Sequence, residues 1–353
     1  MIFRILPILL LGCTTDLPEC TSPESAPGDG ALVFSDHTLD FTGGTLSVLD
    51  LDSLQVCNRV ATATADSVVA VGPNDTVVEV GRLGTDRIRL YTPGEWQRPD
   101  AEFSVGPGSN PQDAAWCADR WWVSQLASPS LRAFSPPGEP LDAIDLSAYA
   151  DADGIPELKD LVVQDQVLTV SAQRLNRADA FSPTDAGALV HIDCSSGQIL
   201  HTAQTQPNLS LSEGLDGLIS SGADGIFRWS DDWERTQIAT FDDPVVGSAF
   251  VESGHGIATT VTEGGWYKLH CVDPNGATTP LAATAAYVPD LQSNDRDEVW
   301  AAVRTSYADP ESAPQGWTLF DDLEDGLLLI DPTQCQISAS VATRLGPYSI
   351  DFY

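Results

Sequence analysis

Three carboxylates lie around a Gly-Ile-Pro kink near the middle of the chain and could together bind a cation. Asp151 and Asp153 precede Gly154, and Glu157 follows shortly after it. Oxygen ligands on a turn are the donors that calcium prefers, and the run "DADG" resembles the opening of a calcium loop. An EF-hand is excluded, because no third Asp precedes Gly154 and the position eleven after Asp151 is Val162. Asp and Gly are also ordinary turn formers, so the pattern predicts either a calcium site or a plain turn.

Four further side chains are candidate ligand-binding residues, and all lie in long polar segments. Arg174 and Arg177 follow the acidic turn and could bind a ligand, or could neutralise its carboxylates as a structural lock. Tyr307 and Trp317 share a second long segment. Exposed aromatic rings stack on sugars or partner proteins, although packing against their own sheet is an equally good interpretation.

Motifs for catalysis are absent from the sequence. Its five histidines show no HExxH spacing, and neither a GxSxG nucleophile elbow nor a glycine-rich phosphate loop occurs. The sequence therefore favours a protein that is not an enzyme. The alternative is a metal-dependent hydrolase, such as a lactonase, or a lyase, whose ligands converge from distant parts of the chain; Asp113 and Glu213 are candidates.

The net charge of −34, with only two lysines, would repel polyanions over the whole surface. Nucleic acid and anionic lipid headgroups are therefore not expected partners. A strongly acidic surface also increases solubility, which is the simpler explanation for this composition.

The N-terminus has the layout of a bacterial lipoprotein signal. Residues 1–12 contain one Arg, a short apolar run and a small residue before Cys13. Leu10-Leu11-Gly12-Cys13 resembles the lipobox, in which the Cys is acylated, although an ordinary secretory signal with a chance Cys is the alternative. Residues 13–30 have the composition of a disordered tether. We therefore expect an exported chain that is anchored by lipid in the outer membrane or at the cell surface.

Six cysteines remain in the exported chain and could form disulfides. They permit fifteen full pairings, and no CxxC pair exists that would indicate zinc or redox chemistry. Cys117 lies in the apolar run "DAAWCADRWW" and is interpreted as a buried free thiol.

The elements that must position these residues are repeated strands. Seven hairpin patterns occur along the chain, and an apolar residue recurs at the same position in the first strand of each. These residues are Leu46, Ile88, Leu131, Leu189, Ile226, Tyr267 and Leu327, which are separated by 42, 43, 58, 37, 41 and 60 residues. Two more strands precede most hairpins, and a period near 40 residues with four strands is typical of a propeller blade. The last segment, "GPYSIDFY", completes the first repeat, which lacks an inner strand. Residues 31–353 are thus predicted to be all-β, as a seven-bladed β-propeller whose C-terminal strand closes the N-terminal blade.

The segments "NPQDAAW", "SPSLRAFSPPGEPLDAIDLS", "DADGIPEL" and "ALVHIDCSSGQI" resemble the YVTN-type repeats of YncE-like propellers, especially cell-surface propeller lipoproteins of myxobacterial type. The resemblance implies a seven-bladed exported propeller, a class that usually has no assigned reaction. The resemblance assigns no catalytic residue to this chain.

Alternation of chain direction places the long segments on one face of such a ring. The segments around Asp151, Arg174 and Trp317 are D-to-A connections or B–C loops, which emerge on the same side. Loops of this length are usually functional. The sequence therefore predicts a membrane-anchored module that binds a ligand, an envelope protein or a glycan across this face.

Overall fold

In the computed structural model, the described residues are 30–353 except 180–181, 185, 215–216, 307 and 321–324. They form seven antiparallel four-stranded sheets, and each sheet is one blade with strand A innermost and strand D outermost. Closure of the ring confirms the predicted all-β, seven-bladed propeller.

The blades follow one another in chain order. Blades 1 to 4, written from A to D, are β30 (Gly346–Phe352), β1 (Ala31–His37), β2 (Gly44–Asp50) and β3 (Val56–Ala63); β4 (Ser67–Val71), β5 (Val77–Gly81), β6 (Arg87–Tyr91) and β7 (Ala101–Ser104); β8 (Pro111–Cys117), β9 (Arg120–Gln125), β10 (Ser130–Phe134) and β11 (Pro140–Asp145); β12 (Leu158–Gln164), β13 (Val167–Ala172), β16 (Gly187–Asp193) and β17 (Ile199–Thr205). A small hairpin of β14 (Leu175–Asn176) and β15 (Ser182–Pro183) is inserted in blade 4.

Blades 5 to 7 repeat the same order. They are β18 (Ser210–Gly214), β19 (Gly217–Gly222), β20 (Gly225–Trp229) and β21 (Arg235–Ala239); β22 (Val245–Phe250), β23 (Gly256–Val261), β24 (Tyr267–Val272) and β25 (Thr278–Thr284); β26 (Tyr287–Ser293), β27 (Val299–Arg304), β28 (Gly326–Asp331) and β29 (Gln336–Ala342). The seven recurring apolar residues of the sequence all fall in C strands, and six of them are fully buried.

The C-terminal strand closes the ring as predicted. β30 pairs antiparallel with β1, with Phe352 opposite Leu32 and Ile350 opposite Phe34. Blade 1 therefore combines the two ends of the propeller, and the edge of β1 that would otherwise be unpaired at the seam is covered by β30.

Apolar side chains fill the space between blades. Within the described residues, a separate cluster lies at each of the seven interfaces between neighbouring blades. Because each blade is apolar on both faces, burial against two neighbours stabilises it, and the ring forms one cooperative unit.

Two disulfides join neighbouring blades. Cys117 of blade 3 is bonded to Cys194 of blade 4, and Cys271 of blade 6 to Cys335 of blade 7. Cys57 is disulfide-bonded as well. The interpretation of Cys117 as a free thiol is therefore wrong: its apolar surroundings are those of a buried disulfide, whose partner lies 77 residues away.

The two faces of the ring differ. We call the side with the D-to-A connections and B–C loops the elaborated face, and the side with the A–B and C–D turns the plain face. The described parts of the three long segments all emerge on the elaborated face, as predicted: residues 146–157, and the described residues within 173–186 and 305–325. Both disulfides whose two cysteines are named above lie toward the plain face. None of the helices in the described residues has the length and hydropathy needed to cross a bilayer.

Candidate ligand site in the central channel

The channel along the ring axis is a cavity of about 740 Å³. Each of the seven inner strands contributes to its wall, for example through Val71, Asp113, Asp160, Glu213, Val246, Asp290 and Asp351. This volume lies within the range of small-molecule sites. A smaller cavity of about 440 Å³ lies outside the channel and draws residues from blades 1 and 2 alone.

Four aspartates of the inner strands each link their own blade to the next, at four of the seven interfaces between blades. Each accepts a hydrogen bond from a backbone N–H of the following inner strand: Asp113 from Leu161 at 2.8 Å, Asp160 from Leu211 at 3.0 Å, Asp290 from Ile350 at 2.9 Å and Asp351 from Val71 at 2.6 Å. The same carboxylates therefore hold the ring together and give the channel its acidic wall.

The pKa values of these carboxyl groups are raised, chiefly by burial. Burial and the nearby Asp160 raise the pKa of Asp113 to about 8. Burial and Asp351 raise the pKa of Asp290 to about 7, and burial with Glu213 raises that of Asp351 to about 6. The carboxylates thus interact across the channel, opposed by Lys159, whose Nζ lies 3.5 Å from Asp160 Oδ1.

Aromatic and guanidinium groups form the channel mouth on the elaborated face. The Arg82 guanidinium lies 5.0 Å from the Tyr348 ring centre, and its Nη2 donates to the Tyr348 hydroxyl at 3.0 Å. His37 stacks on the same ring at 5.2 Å. Arg82 is itself neutralised by an ion pair with Asp66. Because strands B end and strands A begin on this face, residues far apart in sequence meet here.

Arg304 is the second guanidinium at this mouth. It lies 5.3 Å from the Phe41 ring centre and 5.7 Å from that of Tyr348. The residue is only 4% exposed, and among the described residues its Nη1 has no hydrogen-bond partner. Burial lowers the pKa of His37 to about 4, and Arg304 is the charge that lowers it most.

Three of the four predicted ligand-binding residues lie in described segments on the elaborated face and do not line the channel cavity: Arg174, Arg177 and Trp317. Arg177 is exposed, and Arg174 is partly buried with no partner for its Nε among the described residues. Trp317 packs edge-on against His270 at 4.9 Å, with Lys268 Nζ 5.4 Å from its ring. Tyr307 lies outside the described residues. The binding role of these four residues stays a prediction.

The three carboxylates around Gly154 mostly bind backbone. Asp151 Oδ1 accepts from Asp153 N at 3.0 Å, and Asp153 Oδ1 from Ile155 N at 2.8 Å, as in ordinary Asx turns. Glu157 is fully buried; its Oε2 accepts from Leu175 N at 3.1 Å, and its Oε1 has no described partner. Burial raises the pKa of Glu157 to about 7.

No group of three or more His, Cys, Asp or Glu in the described part of the chain is placed to hold a metal ion, and the calcium site stays a prediction.

Sequence reasoning missed most residues of the mouth. Arg304 ends strand β27, His37 ends β1 and Arg82 directly follows β5, so they share one position in three repeats. Superposing the repeats would have shown polar residues at this position. It would not have shown that Tyr348, in the last strand, lies beside all three.

Comparison with known proteins supports the fold alone. No protein-family model matches the chain, and no curated protein matches its sequence. A solved protein from Bacteroides fragilis named as a 6-phosphogluconolactonase is 12% identical, with a TM-score of 0.61 over 93% of this chain and 99% of its own. The dihydro-heme d1 dehydrogenase NirN is 15% identical, with a TM-score of 0.54 over 90% of this chain and 64% of its own. Apo AztD from Citrobacter koseri is 10% identical, with a TM-score of 0.50 over 91% and 96%.

Proposed function

We propose that this protein is an exported propeller lipoprotein that binds a small ligand at the channel mouth on its elaborated face, at the bacterial cell envelope. The observation that carries the proposal is the cavity of about 740 Å³ that all seven blades line. At the mouth, Tyr348, Tyr287 and Arg82 combine flat apolar surface with hydrogen-bond donors. Ligand sites are typically concave, with a few polar groups that fix orientation.

The membrane anchor is Cys13 in this proposal. We expect Cys13→Ser to remain unprocessed or to appear in the soluble fraction, because the acyl chains that hold the protein at the membrane can no longer be attached. Partitioning of the variant into the detergent phase to the same extent as wild type would contradict the lipoprotein assignment.

Ligand binding can be tested by blocking the channel at Gly247. This inner-strand residue lines the cavity, and a Cβ built on it would meet only Leu291 Cδ1, at 4.0 Å. Gly247→Trp should therefore fill the channel without distorting the blade. Asn275→Trp, on an exposed C–D turn of the same blade, is the matched control.

The measurement is thermal unfolding in the presence of monosaccharides, amino acids and monocarboxylates, each added separately. We expect at least one compound to stabilise wild type and Asn275→Trp by several degrees but not Gly247→Trp, because a ligand that binds only the folded state raises its stability. The proposed function would be overturned if none of the compounds stabilises wild type, or if they stabilise Gly247→Trp as much as wild type.

The convergence of carboxylates from several blades favours a second function, a metal-dependent hydrolase or lyase with its site in the channel. The similar structure from B. fragilis carries the name of a lactonase. Asp113, Asp290 and Asp351 line the channel from three blades and could each supply an oxygen ligand, although no three of the described acidic groups lie close enough together to hold a metal ion. Metal analysis of the purified protein separates this alternative from a binding module.

A further inference from the structure

Arg304 carries a buried positive charge that the described part of the chain does not compensate. The residue is 4% exposed, and no ion pair within 4.0 Å joins it to a described carboxylate. Asp325, the nearby acidic residue, instead accepts from the backbone N–H of Thr305 at 2.8 Å. Burying an ion without a partner costs several kcal/mol, and among the described residues Arg304 has no counter-charge that offsets this cost.

The surroundings of Arg304 define the charge of a matching ligand. Arg82, the other guanidinium beside Tyr348, is neutralised by Asp66. Among the described residues, one positive charge therefore remains at the mouth. Five carboxyl groups line the channel below, at positions 113, 160, 213, 290 and 351, and the cations in the same lining are Lys159 and the Asp66-paired Arg82. Those carboxyl groups that are ionised would repel a second negative charge on the ligand.

The rings beside Arg304 define the shape of the ligand. Phe41 lies over the guanidinium from the solvent side and is 47% exposed, while the Tyr348 ring lies at the channel wall. Arg304 and Phe41 are not among the residues that line the channel cavity, so a ligand in the mouth would have to displace the exposed Phe41 ring to reach the guanidinium. A planar or apolar group would then pack against these two rings.

We propose that the mouth binds a monocarboxylate, whose carboxylate pairs with Arg304 and whose ring packs against Phe41 and Tyr348. A guanidinium binds a carboxylate through two parallel hydrogen bonds. The proposal rests on the proposed function, since it names the class of ligand for the same site.

The test compares benzoate, neutral benzamide and dianionic phenyl phosphate by calorimetric titration at about 0.15 M salt, where long-range repulsion by the acidic surface is screened. We expect wild type to bind benzoate at least about tenfold more tightly than either analogue. Arg304→Gln should lose this preference. Arg296→Gln, which removes a guanidinium paired with Asp52 on the plain face, should retain it.

Stability without ligand is the second readout. If the counter-charge of Arg304 is supplied by a bound anion, Arg304→Met should raise the unfolding temperature of the ligand-free protein, because the apolar side chain removes the uncompensated charge. A lower unfolding temperature would show that the guanidinium is a structural partner of the two rings and would overturn the inference.

The two proposals fail in different ways. Three results would overturn the monocarboxylate proposal and leave the channel site standing. Wild type could bind phenyl phosphate more tightly than benzoate, wild type could bind benzamide as tightly as benzoate, or Arg304→Gln could keep the preference for benzoate. If Gly247→Trp leaves every ligand effect unchanged, the channel site itself is wrong.

Discussion

Removal of residues 347–353 is expected to abolish cooperative unfolding of the propeller. These residues form nearly all of β30, the inner strand of blade 1. Their loss removes Ile350 from the interface of blades 7 and 1, and Tyr353 from that of blades 1 and 2. It also removes the Asp351 bond to blade 2. Lost burial and hydrogen bonds together cost on the order of 10 kcal/mol, which is comparable to the whole stability of a domain.

Circular dichroism and calorimetry against temperature provide the measurement. A synthetic peptide of residues 344–353, added in excess, should restore the cooperative transition, whereas a scrambled peptide of the same composition should not. Cooperative unfolding of the truncated chain at the wild-type temperature would place the closure of the ring elsewhere.

The second large effect is expected from pH: the protein should be less stable at pH 8 than at pH 5. Burial raises the pKa of Asp113 to about 8, of Asp290 to about 7 and of Asp351 to about 6, from an ordinary value of 3.8. Such groups bind their protons more tightly in the folded state. Their contribution to stability is complete below pH 4 and is lost as the pH rises through the folded values.

The expected fall in unfolding temperature between pH 5 and 8 is on the order of 10 °C. Asp290→Asn should flatten this profile, because the amide oxygen can still accept the Ile350 N–H but the side chain no longer ionises. Asp273→Asn is the control, because hydrogen bonds from the Ala277 backbone lower the pKa of this exposed carboxyl. The difference between the wild-type and Asp290→Asn profiles isolates the carboxyl group from histidines such as His37, whose lowered pKa adds stability as the pH rises. A profile of Asp290→Asn as steep as that of wild type would show that Asp290 ionises as readily in the folded protein as in the unfolded chain.

The blades could be predicted from the sequence because each is a local repeat. A C–D hairpin is specified by about twelve neighbouring residues, and the alternation of chain direction then fixes which loops share a face. The closing strand was visible because the first repeat lacked an inner strand. These inferences need no knowledge of which side chains touch.

The channel mouth could not be predicted in this way. Arg82 and Tyr348 are 266 residues apart, and they meet only because the ring closes. Cys117 shows the same limit, since an apolar context fits both a free thiol and a buried disulfide. Asp151 and Asp153 show a different case: one oxygen of each carboxylate accepts from a backbone N–H two residues away, as in an ordinary turn, and the calcium site stays a prediction.

The position of the two disulfides has a mechanical consequence. The bonds 117–194 and 271–335 tie blade 3 to blade 4 and blade 6 to blade 7 near the plain face. Each of these blade pairs is therefore covalently joined at one end of the axis, whereas at the other end the described contacts between the two blades are apolar packing and hydrogen bonds. Separating the two blades therefore costs more free energy at the plain end than at the elaborated end.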